Sequence, residues 1–153
     1  MNELEIIIRE DTNEGYLFYQ QDPEVEQYLI YLSSPNFTIA THRVELEDPV
    51  LFRLNANRIL SAVKIVIPRH AWQITQSIPV PVTTVTASLE FPVTTIQQHA
   101  FNLEANIVTA TAYTHALVTF GQPEVATFWV ALSSQCWALI AENRLKGFFM
   151  ILE

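Results

Sequence analysis

The sequence predicts an α+β fold, with mostly antiparallel strands and short helices in the N-terminal part and a C-terminal helical hairpin packed on the sheet. Polar and apolar residues alternate in residues 37–47 and 84–91, which is typical of half-buried strands. Apolar residues recur every three or four positions in residues 93–117, and residues 124–146 form a long apolar segment with helix start and stop signals. The 153 residues fit a single domain that can bury its own core.

The acidic N-terminal part, residues 1–48, is predicted to be rich in strands. Two β-rich segments flank a turn-forming sequence at residues 11–15 and are expected to pair as a hairpin. Asp22 and Pro23 are the cap and first residue of a predicted helix, although residues 26–33 also fit a strand. The predicted order is strand, strand, helix and strand, over residues 3–9, 16–20, 22–34 and 37–47.

The basic middle part, residues 49–69, is predicted to contain a helix and a strand. Asp48 and Pro49 repeat the helix-start chemistry. Apolar residues then share one helical face over residues 52–63, and residues 64–67 follow as a short strand.

The low-charge C-terminal part, residues 70–153, is expected to begin with extended chain over residues 72–91. Residues 84–91 alternate between apolar and polar side chains. Pro79 and Pro81 lack the backbone N–H that a ladder needs, so that end of the segment is expected at a sheet edge or outside the sheet.

The spacing in residues 93–117 predicts a long helix with a heptad-type apolar seam. Pro92 stands at the first helical position and Gly121 follows the end, which fits the usual asymmetry of helix termini. The alternative is a shorter helix followed by a strand, because residues 106–120 also alternate and are rich in threonine.

Residues 124–146 predict the second helix of the hairpin. Pro123 and Glu124 have the chemistry of a helix start, and basic residues precede Gly147 at the end. One helical face is bulky and apolar and a second carries small residues, so the helix can pack on the sheet and on a partner together. Residues 148–152 are expected to end the chain as a strand or a docking tail.

The distribution of charge predicts an interaction protein. The 74 residues between Arg69 and Arg144 contain no lysine or arginine and only four acids, whereas soluble chains are about a quarter charged. Obligate interfaces are depleted in charge in this way. We therefore expect a non-catalytic assembly or adaptor protein that forms a homodimer or larger oligomer, or binds another protein. The expected interface residues are Phe128, Trp129, Ala131, Ser134, Trp137, Ala138 and Ala141.

Two other functions fit the sequence. The first is a small-molecule-binding α+β domain with an apolar pocket, in which Trp72, Tyr113 and the histidines would contact the ligand. The second is an acidic regulator that sequesters a basic partner through residues 1–48, where eleven acids face only two arginines.

The four basic residues of the middle part form a candidate anion-binding set: Arg53, Arg58, Lys64 and Arg69. The simpler interpretation is that this set neutralises the acidic residues 1–48, within one chain or across a dimer.

Composition argues against several other classes. The net charge of −8 disfavours nucleic acid as a partner, and the uncharged apolar segment of residues 125–141 is shorter than a membrane span. The three glycines are too scattered for a phosphate loop. The four histidines and Cys136 lack metal-ligand spacing. We therefore predict no catalytic residue, cofactor or metal, and a cytoplasmic location that suits one unpaired cysteine.

Cys136 is the only nucleophile in the sequence that a histidine such as His99 or His115 could activate. It lies among apolar residues, where cysteines usually pack as inert core side chains with raised pKa values. We therefore expect Cys136 to be a core residue.

Overall fold

The computed structural model describes residues 3–20, 29–46, 50–98, 100–110, 114–121 and 127–152. Within these ranges the chain forms fifteen strands, one α-helix and one 3-10 turn. The strands are β1 Ile7–Arg9, β2 Phe18–Gln20, β3 Leu29–Ser33, β4 His42–Leu46, β5 Val50–Leu54, β6 Leu60–Val66, β7 Gln73–Ile74, β8 Thr83–Thr86, β9 Ser88–Glu90, β10 Ala100–Phe101, β11 Ala105–Thr109, β12 His115–Phe120, β13 Phe128–Ala131, β14 Cys136–Ala141 and β15 Arg144–Ile151. The helix α1 is Val93–Gln98 and the 3-10 turn is Arg69–Ala71.

The strands build two large sheets and one small one. One large sheet has six strands in the order β10-β4-β5-β6-β3-β2, and the other has seven in the order β7-β11-β12-β15-β14-β13-β8. The small sheet pairs β1 with β9. Backbone hydrogen bonds join it to the seven-stranded sheet, since the N–H of Ile6 donates to Asn143 and the N–H of Leu145 donates to Leu4.

The two large sheets pack face to face around one hydrophobic core. Phe52 of β5 projects from the six-stranded sheet and is fully buried. Its ring makes edge-to-face contacts with Phe120 of β12 at 5.8 Å and Phe148 of β15 at 6.2 Å, both on the seven-stranded sheet. The ring of Phe91 lies 5.7 Å from the ring of Phe52, also in edge-to-face geometry. Buried side chains alternate along β5 and β12, as expected for strands with one face on a core. The architecture is a β-sandwich.

The predicted α+β fold class is wrong, because the described part of the chain is mostly β, with fifteen strands and one short α-helix. The C-terminal helical hairpin does not exist. In and just after the segment assigned to it, residues 105–109, 115–120, 128–131, 136–141 and 144–151 form β11 to β15 instead. The alternative of a shorter helix followed by strand is closer, since α1 spans only Val93–Gln98.

The turn between β14 and β15 explains why the described residues 128–146 do not form a helix. Glu142 and Asn143 have φ values of 50° and 61°, and two successive positive φ values make the hairpin turn that matches the twist of paired strands. Gly147 is not a helix cap but a residue of β15. A Cβ there would lie 2.1 Å from the carbonyl oxygen of Val118, so β15 needs a glycine to approach β12. The predicted helix start at Pro123 and Glu124 falls outside the described residues.

The predicted helix in the basic part is also wrong. Residues 50–66 form the β5–β6 hairpin, whose turn is stabilised by the side chain of Asn55. The Oδ1 of Asn55 accepts hydrogen bonds from the N–H groups of Asn57 and Ile59 at 2.8 and 3.1 Å. Arg58 closes the turn with a φ of 63°. Asp48 and Pro49 lie outside the described residues.

The N-terminal predictions are partly correct. Strands occur where expected, as β1, β2 and β4, but β1 and β2 do not form the predicted hairpin. β1 pairs with β9 and β2 pairs with β3. Residues 29–33 are the strand β3, which supports the strand alternative over a helix there; Asp22 and Pro23 lie outside the described residues. Pro79 and Pro81 lie in the connection between β7 and β8. These two strands form the opposite edges of the seven-stranded sheet.

Candidate functional site

The seven-stranded sheet has an outer face that points away from the core. In β12, Ala116, Val118 and Phe120 are buried against the other sheet, so the alternate residues of this strand point outward. Pairing registers then identify the outward positions of the neighbouring strands. We call this surface the apolar outer face. It consists of two rows of five residues and one further pair: Val108, Leu117, Phe149, Trp137 and Ala131; Asn106, Thr119, Gly147, Leu139 and Trp129; and His115 with Ile151.

None of these twelve positions carries an acid, a lysine or an arginine. His115 is the only titratable residue among them. Most of the side chains are half-buried, and the six-stranded sheet packs on the opposite face of this sheet. Antiparallel sheets usually present polar residues on the face away from the core, so this face has the composition of a surface that is covered by something else.

An aromatic cluster occupies the centre of the apolar outer face. The ring of Phe149 lies 5.7 Å from Trp137 and 6.3 Å from Trp129, both in edge-to-face geometry, and 5.8 Å from the stacked ring of His115. These neighbours leave Phe149 only 4% exposed. The Nδ1 of His115 lies 2.9 Å from the hydroxyl of Thr114, which fixes the ring in this position. Rigid aromatic groups of this kind are typical of the centres of protein interfaces.

The structure brings only some of the expected interface residues to this face. Trp129, Ala131 and Trp137 lie on it, and Phe128 is 47% exposed at the start of the same strand, β13. Ser134 is exposed in the bend between β13 and β14. Ala138 and Ala141 are fully buried in the core and offer no surface.

Phe149, Leu117, Leu139 and His115 were missed as members of the face. The signal that could have found them is the alternation of residues 115–120, which predicts one outward set once a strand is assumed. Their position beside Trp129 and Trp137 depends on strand order and register, which local patterns do not contain.

Cys136 lies in the core, as its apolar neighbours predict, but on β14 rather than on a helix. It is fully buried, and desolvation raises the pKa of its thiol far above the usual range. A thiol in this state is a poor nucleophile. Among the described residues, no cluster of three or more His, Cys, Asp and Glu side chains could hold a metal ion. His99 and Tyr113 lie outside the described residues, and Trp72 is buried with its indole N–H donating to the carbonyl of Ile67 at 2.8 Å.

The candidate anion-binding set does not converge on one place. Arg53 and Lys64 point outward from β5 and β6 of the six-stranded sheet, where Arg43 of β4 stands directly opposite Arg53. Arg58 lies in the β5–β6 turn instead. Arg69 belongs to the 3-10 turn, and its side chain lies outside the description.

Arg58 has a partner from the low-charge part of the chain. One of its terminal nitrogens lies 3.6 Å from Glu90 of β9, and Arg9 of β1 approaches the same carboxylate at 3.4 Å. Glu90 is 9% exposed, so its carboxylate is largely shielded from water, whereas the side chains of Arg9 and Arg58 are more than a third exposed. The described ion pairs therefore do not link the basic set to the acidic residues 1–48. Three of those acids, Asp11, Glu45 and Glu3, pair instead with Arg9, Arg43 and Arg144.

A cleft of about 390 Å³ opens at one end of the six-stranded sheet. Three connections form its walls: the turn before β2, the β3–β4 connection and the β5–β6 turn. Its lining residues are Asn13, Glu14, Tyr16, Phe18, Ser34, Pro35, Asn36, Phe37, Thr38, Ile39, Asn55 and Ser61. Neither Trp72 nor any histidine lines it.

The chain matches no protein-family model and no curated protein. None of the helices in the described ranges is long and apolar enough to cross a membrane.

Proposed function

We propose that this protein is a non-catalytic assembly protein that associates with a second copy of itself through the apolar outer face. The observation that carries the proposal is the aromatic cluster of Phe149, Trp129, Trp137 and His115, set among twelve outward positions that carry no acid, lysine or arginine. Burying this face against another apolar face would remove it from water, which is the main favourable contribution to most protein associations.

A second copy fits the chemistry of the face better than a charged partner does. Two copies of a net charge of −8 repel each other, and the repulsion is smallest where no acid faces the contact. An isologous pairing needs only a self-complementary patch. Two sheets packed about 10 Å apart would bury both aromatic clusters.

The size of the face predicts the strength of the dimer. Its twelve positions cover five strands about 4.8 Å apart and three rows about 7 Å apart. With the width of the side chains this is about 500 Å² per copy, less than the roughly 800 Å² of a standard interface. We therefore expect a weak, concentration-dependent dimer with a Kd in the micromolar range. The cytoplasmic location predicted from the sequence remains part of this proposal.

The experiment is sedimentation equilibrium with a pair of matched variants. Leu117→Lys places a charge on the apolar outer face, and Leu51→Lys places the same charge on the outer face of the six-stranded sheet. Both leucines are half-buried and point outward from strands inside their sheets. We expect the parent and Leu51→Lys to dimerise between 1 and 200 micromolar, roughly where an interface of this size associates, and Leu117→Lys to remain monomeric. Melting curves by circular dichroism establish that both variants are folded.

A parent chain that stays monomeric over that range would contradict the proposal. So would equal weakening by both substitutions, because that result would show a general effect of added charge. If the parent is monomeric but a different protein is retained by the parent and lost with Leu117→Lys alone, the face binds another partner and self-association is wrong.

A further inference from the structure

The cleft at the end of the six-stranded sheet is held open by the backbone. The N–H of Ser34 donates to the carbonyl of Ser61 at 2.9 Å, which fixes the start of the β3–β4 connection against β6. On the opposite wall, a Cβ on Gly15 would lie 2.6 Å from the carbonyl oxygen of Leu60. The turn before β2 therefore packs closely on β6 because that position is glycine. The cleft does not need a ligand to form it.

Aromatic rings make the walls of this cleft. Tyr16, Phe18 and Phe37 are all half-buried and line it from two different connections. The floor contains Ser34 and Ser61, which are 5% and 1% exposed. The volume of this cleft lies in the range of small-molecule sites, and its lining combines three aromatic rings with several polar groups.

Glu14 is the single charged residue among the lining residues. Its two carboxylate oxygens accept contacts from the Nδ2 of Asn57 at 3.0 and 3.2 Å. These contacts leave further lone pairs unused, because a carboxylate can accept about four hydrogen bonds. Within the described part of the chain, no arginine or lysine forms an ion pair with Glu14. The charge of this carboxylate is therefore not neutralised by the protein.

We propose that the cleft binds a small organic cation, an alkylammonium or quaternary ammonium group. The faces of Tyr16, Phe18 and Phe37 carry the negative end of the ring quadrupole, which attracts a cation in contact with them. Glu14 supplies the opposite charge at the rim. An anionic ligand would meet Glu14 and the overall charge of −8 unfavourably. This site is separate from the apolar outer face, which lies on the other sheet.

The test compares two probes of the same shape. Choline carries a quaternary ammonium group, and 3,3-dimethylbutan-1-ol replaces that group by a neutral tert-butyl group. Each is titrated into the protein while backbone amide shifts are followed by NMR. We expect saturable shifts at the cleft with choline, with a Kd of about 1 mM for so small a ligand. The neutral probe should bind at least fivefold more weakly, and choline binding should weaken with added salt.

Three variants locate the interaction. Glu14→Gln removes the charge with little change in shape, and Phe37→Leu removes one ring. Glu10→Gln removes an equal charge from an exposed residue that does not line the cleft. We expect Glu14→Gln and Phe37→Leu each to weaken choline binding about fivefold, and Glu10→Gln to leave it unchanged. The amide spectra also show whether each variant is folded.

Equal affinity for the two probes would overturn the proposal, because shape alone would then explain binding. Choline shifts that are absent, or that centre on residues outside the cleft, would overturn it as well. If Phe37→Leu fails to fold, the comparison of Glu14→Gln with Glu10→Gln still decides the question.

Discussion

The two large sheets of this sandwich share a core but differ in the faces they turn outward. The outer face of the six-stranded sheet carries Arg43, Glu45, Arg53 and Lys64. The twelve positions of the apolar outer face on the seven-stranded sheet carry no such charge. Both sheets are mainly antiparallel and each buries one side, so the fold alone does not demand this difference. The association proposed for the apolar outer face would account for this difference.

The contrast between the two outer faces helps to explain why the stretch between Arg69 and Arg144 carries so little charge. A core needs apolar residues on only one side of each strand, and residues 115–120 supply them as Ala116, Val118 and Phe120. Leu117 and Phe149 are additional apolar residues that the sandwich core does not use. The absence of charge thus comes from two apolar surfaces on one sheet, one of which is left outside the sandwich.

The two faces are expected to differ most in how much an aromatic side chain, Phe149 on one and Tyr31 on the other, contributes to the free energy of unfolding. Phe149→Ala should lower the free energy of unfolding by about 3 kcal/mol, because Phe149 is 4% exposed and contacts three rings. Tyr31→Ala, on the half-buried outer side of β3, should cost about 1 kcal/mol or less. Urea unfolding followed by tryptophan fluorescence measures both, at a concentration low enough to keep the chain monomeric. Equal losses would show that the aromatic cluster is not a packed unit.

A smaller effect is expected at Gly147, where β15 crosses the apolar outer face. Gly147→Ala should cost about 2 kcal/mol, because the new Cβ would meet the carbonyl oxygen of Val118 and force β15 away from β12. Thr119→Ala, at the cross-strand neighbour of Gly147, removes atoms instead of adding them and serves as the control. The same urea measurement gives both values. A stabilised Gly147→Ala variant would mean that the two strands are not held at this distance.

The sequence predicted several strands but not the fold class. The apolar outer face is one reason, because its strands have apolar residues on both sides. A strand with apolar residues on both sides has no polar alternation, so residues 128–131 and 136–141 resemble a helix that is apolar all round. The length of the apolar segment then favoured a helix over a strand. In the structure, the turn at Glu142 and Asn143 divides the segment into shorter strands. Asparagine is tolerated at positive φ, so Asn143 is the local signal in the sequence for this turn.

The spacing in residues 93–117 failed for a related reason. Positions three and four apart occur on one face of a helix, but positions two and four apart lie on one face of a strand, so an apolar-rich segment satisfies both patterns. Pro92 did mark the start of α1, and the helix ends at Gln98. Trp129 and Trp137 were expected at an interface because aromatic residues are typical interface anchors. Their clustering with Phe149 and His115 could not be predicted, because it depends on the order and register of four strands.

The smallest expected effect lies on the charged face, at the pair formed by Arg43 and Arg53. These residues stand directly opposite each other on β4 and β5, and like charges in this arrangement destabilise a sheet. Arg53→Gln should therefore be more stable than Lys64→Gln by about 0.3 kcal/mol at low salt, although both remove one positive charge from the same face. Lys64 stands opposite the uncharged Leu51 and Tyr31. Urea unfolding at low and high salt measures the difference, which should vanish as salt screens the pair. A difference of the opposite sign would mean that Glu45, 3.9 Å from Arg43, already compensates the second arginine.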